Sequence, residues 1–214
     1  MKAAVRGRQE VVRYFVVECN ADLNSKDEDG STALMMAAGN GHTETVRCLA
    51  EQPGADVDAK NEDGYSALMM AAVYGRFEVV QYLAKLRGVD VNAADERGVT
   101  ALMIPAGTGH VGIVQCLTEC GANVNAQDDG GDTALMKAAA RGHSEVVRYL
   151  SKRPGVDLRL TNNNGETVAR IAADRGYQEC SGYLRNFFQL LESFAQMRAP
   201  TKNLSLKLAM MNDR

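Results

Sequence analysis

Five glycines, Gly30, Gly64, Gly98, Gly131 and Gly165, fall 34, 34, 33 and 34 residues apart, each inside a near-copy of one segment. DGSTALMMAAGNGHTETVRCL from Asp29 returns as DGYSALMMAAVYGRFEVVQYL from Asp63 and RGVTALMIPAGTGHVGIVQCL from Arg97. GGDTALMKAAARGHSEVVRYL follows from Gly130, and a weaker copy, NGETVARIAADRGYQECSGYL, from Asn164. The chain also opens inside a copy, since Ala3-Ala4-Val5-Arg6-Gly7 matches Ala37-Ala38-Gly39-Asn40-Gly41. A period of this size means that one unit cannot bury its own apolar face, so the core is a stack and not a globule.

Each copy reads as two short helices and a protruding turn. Thr32, Ser66, Thr100, Thr133 and Thr167 stand where an N-cap hydroxyl is needed, so all five are expected to cap. An Ala- and Met-rich helix follows and ends near Gly41, Gly75, Gly109, Gly142 and Gly176. A second helix carries apolar residues such as Val79, Val80 and Leu83 on one side. Then come Gly-Ala-Asp-Val-Asp at 54–58 or Gly-Ala-Asn-Val-Asn at 121–125, and a polar tip such as Lys26-Asp27-Glu28-Asp29-Gly30.

Over roughly residues 1–190 this pattern resembles the ankyrin repeat, whose signature is T-P-L-H, A-A-x-x-G-H-x-E-V-V and G-A-D-V-N at this spacing. The resemblance implies an all-α solenoid of stacked helix–turn–helix units with β-turn or hairpin tips, and a concave surface for protein recognition. The units expected are a partial repeat at 1–24, repeats at 25–58, 59–92, 93–125 and 126–158, a degenerate repeat with a capping helix at 159–197, and a tail at 198–214. Here Pro-Leu-His is replaced by Ala33-Leu34-Met35, Ala67-Leu68-Met69, Ala101-Leu102-Met103 and Ala134-Leu135-Met136. Losing Pro removes a preorganised first turn. Losing His removes a bond the family usually makes, and Met offers apolar packing instead. This TALM form resembles the large ankyrin-repeat families of diplomonad protists.

The fourth unit breaks two rules. Pro105 replaces the Ala of positions 37 and 71 inside the first helix, a cost of about 3 kcal/mol. Gly112 replaces a second-helix Glu, adding roughly 1 kcal/mol. The pair reads either as drift tolerated by the neighbouring units or as a bend in mid-stack.

No catalytic site stands out from the repeat. His42, His110 and His143 share one Gly-His position and are expected to hydrogen-bond at the start of the second helix. Cys116 and Cys120 are spaced i, i+4, but no further Cys or His supplies the rest of a metal site. Gly107-Thr108-Gly109 lacks the Lys-Ser/Thr of a phosphate loop. Neither cofactor nor metal is expected. The 27 acidic and 24 basic residues give a formal net charge of −3, which disfavours nucleic acid as a partner. No run of 18 apolar residues predicts a membrane span, and five Cys point to reduced thiols in an intracellular, cytoplasmic setting.

What varies between copies is the candidate binding surface, which the resemblance places on the concave face. Its tips carry Glu28, Asp29, Glu62, Asp63, Glu96, Arg97, Asp129 and Asp132, and its helix ends carry Thr108 and Arg141. Tyr65, Val73 and Tyr74 form an aromatic–apolar cluster suited to an interface anchor. Acidic tips favour a partner with a basic segment, its cations near the Tyr faces. At the C-terminal end, Tyr183, Leu184, Phe187, Phe188, Leu191 and Phe194 form one helical stripe that reads as a cap reaching about Met197. After Pro200, Leu204, Leu206, Leu208 and Met210 alternate with polar residues, as in a strand, a docking peptide or a disordered end. The function expected is a non-enzymatic adaptor or scaffold, monomeric, binding a partner protein. The alternatives are a targeting region of a larger enzyme such as a kinase, and self-association through the open first repeat.

Overall fold

The computed structural model describes residues 1–198, with the side chains at 191, 192 and 194–198 excepted. Leu191, Phe194, Met197 and the alternating segment 204–210 therefore lie outside the described side chains or residues. Among the described residues six inner helices alternate with six outer ones. The inner helices are α1 (Lys2–Val5), α3 (Ala33–Asn40), α5 (Ala67–Val73), α7 (Met103–Thr108), α9 (Ala134–Ala140) and α11 (Val168–Asp174). The outer helices are α2 (Gln9–Arg13, continued by a π turn over Tyr14–Glu18), α4 (Thr43–Ala50), α6 (Phe77–Leu83), α8 (Val111–Glu119), α10 (Ser144–Leu150) and α12 (Gln178–Arg198). Each inner helix packs on the next inner helix and on its own outer partner, so two parallel rows form a stack.

One continuous core fills the space between the rows. Leu34, Leu68, Leu102 and Leu135 meet Val46, Val80, Val114 and Val147 there, all buried. Burying each Leu or Val stabilises the stack by about 1.5–3 kcal/mol. The alanines at 37, 38, 71, 72, 138 and 139 are buried as well, and their small size lets neighbouring inner helices approach.

Four of the five expected caps are formed. Thr32, Ser66, Thr133 and Thr167 each accept a bond from the backbone N–H three residues on, at 3.2–3.4 Å. Met35 does more than fill space. Its sulfur accepts from Thr32 N–H at 3.4 Å, so a thioether closes the reciprocal half of a capping box.

The expectation fails at Thr100. The regular inner helices begin one residue after the cap, whereas α7 begins at Met103. Pro105 explains the delay. It has no N–H to give the carbonyl of Ala101, and its ring excludes that carbonyl. The helix frame slides until Pro105 is its third residue, within the first turn, where a missing N–H is harmless. Residues 100–103 close as a tighter turn, with Met103 N–H on Thr100 O at 3.1 Å. The Thr100 hydroxyl, buried and facing no cap, is left without a partner. Gly112 is milder than its sequence suggests, because α8 runs unbroken from Val111 to Glu119 and Gly112 falls in its first turn.

The hairpin tips expected from the sequence are not formed; the described residues contain no β-strand. Four tips hold one isolated antiparallel bridge each, Lys26 with Thr32, Ala94 with Thr100, Gln127 with Thr133 and Thr161 with Thr167. The backbone donors that would extend a hairpin are used otherwise. Asp95 Oδ1 accepts from Arg97 and Val99 N–H, and Asp128 Oδ1 from Gly130 and Asp132 N–H. Other tip amides reach the neighbouring tip: Glu62 N–H donates to Asp29 O, Asp129 to Arg97 O and Asn163 to Gly130 O, at 2.9–3.1 Å. The tips are thus Asx-type turns tied along the stack.

A second ladder joins the loops after the outer helices. Asn24, Asn92 and Asn125 each accept the N–H of a residue in the next loop and donate to the carbonyls of Gly54, Gly121 and Gly155. Asp58 holds the same place, accepts from Asp90 N–H and has no donor to offer. None of the three histidines caps its own helix through the side chain, contrary to the expected bond there, and two of them act between units instead. His42 Nε2 donates to Val5 O at 2.9 Å and His143 Nε2 to Gly107 O at 3.0 Å, reaching carbonyls left free at the preceding inner helix's end. Gly142, at φ 74°, has to be glycine on two counts: a Cβ there would come within 2.4 Å of the Tyr177 ring.

At the C-terminal end α12 packs Leu184 into the core, with Tyr183, Phe187 and Phe188 half-buried beside it, while Leu190 is exposed. The first repeat is the opposite. Tyr14, Phe15 and Val17 are each more than half exposed on its outer face.

Candidate functional site

The inner row and its tips carry three variable columns. One lies just before the cap: Ser31, Tyr65, Val99, Asp132 and Glu166. A second lies four residues after it: Met36, Met70, Ile104, Lys137 and Ile171, all but the last half-buried. The third lies at the helix end: Asn40, Tyr74, Thr108, Arg141 and Arg175, all exposed.

Tyr74 and Arg141 both reach back over a glycine of the preceding repeat. A Cβ on Gly39 would lie 3.3 Å from the Tyr74 ring, and one on Gly107 would lie 3.3 Å from an Arg141 nitrogen. Arg141 Nη1 donates to Gly107 O at 2.9 Å, while Tyr74 keeps 56% of its surface exposed. Val73 is half-buried beside it. Tyr65 is half-buried at the tip edge, and its hydroxyl accepts from Arg97 Nη2 at 3.2 Å. Arg97 also pairs at 3.3 Å with the fully buried Asp95 carboxylate, which raises the guanidinium's pKa further. The Tyr65 hydroxyl therefore already has a cation of the chain's own, and its ring does not stack on Tyr74.

The tip acids are different. Glu28, Asp29, Glu62, Asp63, Glu96 and Asp129 are exposed, and none forms an ion pair among the described residues. Asp132 spends one oxygen on Asn162 Nδ2 at 3.1 Å. Asp128, by contrast, is tied to Lys137. Burial pushes its carboxyl pKa up, but the Lys137 ammonium and the N–H groups of Asp132 and Gly130 outweigh that and hold it below the ordinary value.

Two comparisons place this architecture. The chain matches the family described as ankyrin repeats (3 copies) over residues 1–95, 85–162 and 102–188. Among solved structures it is similar to the ankyrin repeat domain of Bcl-3, described as a unique member of the IκB protein family. The TM-score is 0.76 and the identity 33%, over 86% of this chain and 79% of that one. The chain belongs to the ankyrin-repeat family. Among curated proteins none matches it.

As an ankyrin module it is a protein-interaction unit. Among the described residues no group of three or more His, Cys, Asp or Glu side chains could hold a metal ion. Cys116 is buried, and burial, then neighbouring Cys120, push its thiol pKa up, which suits a structural residue. No described helix is long and apolar enough to cross a membrane.

Of the residues singled out from sequence, Arg97, Thr108, Asp129, Asp132 and Arg141 line one groove of about 730 Å³ between α7 and α9. Tyr65, Val73 and Tyr74 lie one repeat earlier, outside that lining. Sequence reasoning missed Met36, Met70, Ile104 and Lys137. The signal was there: the fourth position after the cap changes from Met to Ile to Lys between copies, as a surface position does.

On the opposite, outer row, Tyr82, Tyr149 and Tyr183 bond the preceding repeat through Glu51, Thr118 and Ser151 at 2.8–3.2 Å. Arg47 and Arg148 cover two of these rings. That row is occupied with holding the stack.

Proposed function

We propose that this ankyrin module is an adaptor whose concave face and acidic tips bind a basic segment of a partner protein. The supporting observation is the row of tip carboxylates at 28, 29, 62, 63, 96 and 129 that no cation of the described chain neutralises. Such a row favours encounter with Lys- or Arg-rich chains and repels nucleic acid. Tyr74, exposed and backed by Gly39, supplies an aromatic anchor beside Val73, with Tyr65 at its edge. Affinity capture from the native cell tests the reading when repeated with the Tyr65→Ala/Tyr74→Ala double variant and with the six tip acids changed to amides. Loss of the captured partner in both supports it; capture unchanged by either set overturns it.

A second reading rests on Tyr14, Phe15 and Val17. Their exposure on the first repeat supports self-association through that face. Sedimentation showing one concentration-independent monomer would remove it. Five free thiols fit a reducing, cytoplasmic setting. Kinship with the diplomonad repeat families is a further proposal, carried by the Ala-Leu-Met tripeptide after Thr32, Ser66, Thr100 and Thr133.

A further inference from the structure

The inner row changes character in the middle of the stack. In the third and fourth repeats its surface columns hold Tyr65, Met70, Tyr74, Val99 and Ile104; from the fifth they hold Asp132, Lys137, Arg141 and Glu166. The next groove along, between α9 and α11, is smaller, about 120 Å³, and is lined by residues such as Asn162, Glu166, Asp174 and Arg175. The 730 Å³ groove lies on the boundary. Val99, Met103 and Ile104 form its apolar side, and Asp129 and Asp132 its tip edge.

Most of the charges around it are already satisfied. Lys137 is held by Asp128, and Arg97 by Asp95 and the Tyr65 hydroxyl. What remains at the tip edge is the free Asp129 carboxylate and one Asp132 oxygen. At the far edge, Arg141 donates to a carbonyl and pairs with no carboxylate.

We propose that this groove seats one arginine or lysine side chain of the partner, its stem on Val99, Met103 and Ile104 and its charged head at Asp129 and Asp132. Long cationic side chains bury an apolar stem and keep their charge at a polar edge, which is the polarity this groove offers. A wholly apolar side chain would leave the carboxylates desolvated and unpaired. An acidic one would have to pass three aspartates to reach Arg141. The inference rests on the concave-face reading and adds direction to it: the partner's apolar residues lie over repeats three and four, and its anchoring cation at the four–five boundary.

The test uses the whole chain, 15N-labelled, titrated with N-acetyl-arginine methylamide and, separately, with its norleucine and glutamate counterparts. The arginine probe should shift the Val99, Ile104, Asp129 and Asp132 amides saturably, and norleucine should bind several-fold more weakly. Asp129→Asn with Asp132→Asn should weaken the arginine probe by about fivefold, and Arg141→Ala should strengthen it about twofold by removing a like charge. Preference for the glutamate probe, with shifts centred on Arg141, would overturn the proposal in favour of an anion subsite. Shifts confined to Tyr65 and Tyr74 would overturn it while leaving the adaptor reading intact. Absence of any saturable shift would overturn it too, whereas the adaptor reading fails only by capture.

Discussion

Repeats three and four differ in where each is imperfect. Repeat three has a regular inner helix, capped by Ser66 and begun at Ala67, but its loop is tied to repeat two through Asp58, which accepts and cannot donate. Repeat four has the better loop tie, Asn92, which accepts from Asn123 and donates to Gly121 O. Its inner helix starts late and orphans Thr100. Both units still fold into one stack with cores equally buried. The scaffold therefore tolerates a fault in either layer because the other layer and the neighbours hold the unit in register.

The largest effect should come from moving repeat four's fault into repeat three. Ala71→Pro should cost about 3 kcal/mol, because Ala71 is fully buried as the fifth residue, beyond the first turn, of a helix that packs closely on α3. Chemical denaturation measures it. A loss well under 1 kcal/mol would mean that any inner helix can slide its start freely, and the contrast between the two repeats would disappear. Reversing the change, Pro105→Ala should stabilise the chain by about 1 kcal/mol, by letting α7 begin at Ala101 and giving Thr100 an N–H to cap. Slower hydrogen exchange at the Met103 amide is the local sign. An unchanged midpoint with unchanged exchange would show that the idle hydroxyl has another cause.

Asp58→Asn addresses the loop layer and should stabilise by roughly 1 kcal/mol at neutral pH, by adding a bond to Gly88 O like those made by Asn24, Asn92 and Asn125. The gain should depend on pH. Burial is the main reason the Asp58 carboxyl pKa is raised; the charges of Asp90 and Asp56 add to it, and the Asp90 N–H offsets part. A carboxyl raised in the folded state binds its proton there before it does when unfolded, so native stability falls as pH rises through that window. The advantage of Asn is therefore full above the raised value, shrinks as pH falls from there to the ordinary one, about 4, and is smallest below it. A gain independent of pH would assign it to the new bond alone.

The stack was legible because its period repeats one decision several times. Ala-Leu-Met after a hydroxyl residue predicts a capped helix, and three of its four copies obey, as does Thr167 without the tripeptide. At Thr100 the motif fails because Pro105 acts from five residues away, through the carbonyl it excludes, and a cap motif by itself carries no trace of that. The expected hairpins fail to form for a related reason. The tip donors are spent on Asp95, Asp128 and the adjacent tips, and bonds between repeats do not show in the spacing within one. Of the candidate surface, the varying positions were visible, but not that Arg97, Thr108, Asp129, Asp132 and Arg141 share a groove while Tyr65 already has a cation. Pairing of charges across 30 residues is a property of the stack.

The smallest expected effect lies where the two repeats touch. Repeat three presents Phe77, more than a third exposed, and repeat four answers with Gly112, where other units carry Glu. A Cβ on Gly112 would stand 3.6 Å from the Phe77 ring, an ordinary contact distance, and the backbone there is already helical. Gly112→Ala should therefore stabilise by about 0.5 kcal/mol, from backbone entropy and a little more cover on the ring. Gly112→Glu should add a few tenths more at low salt, since a carboxylate in the first turn of α8 meets the positive end of the helix. If alanine destabilises instead, glycine is required for Phe77 to lie flat across the seam. Repeat four's second irregularity would then be a fitted joint with repeat three and not a tolerated loss.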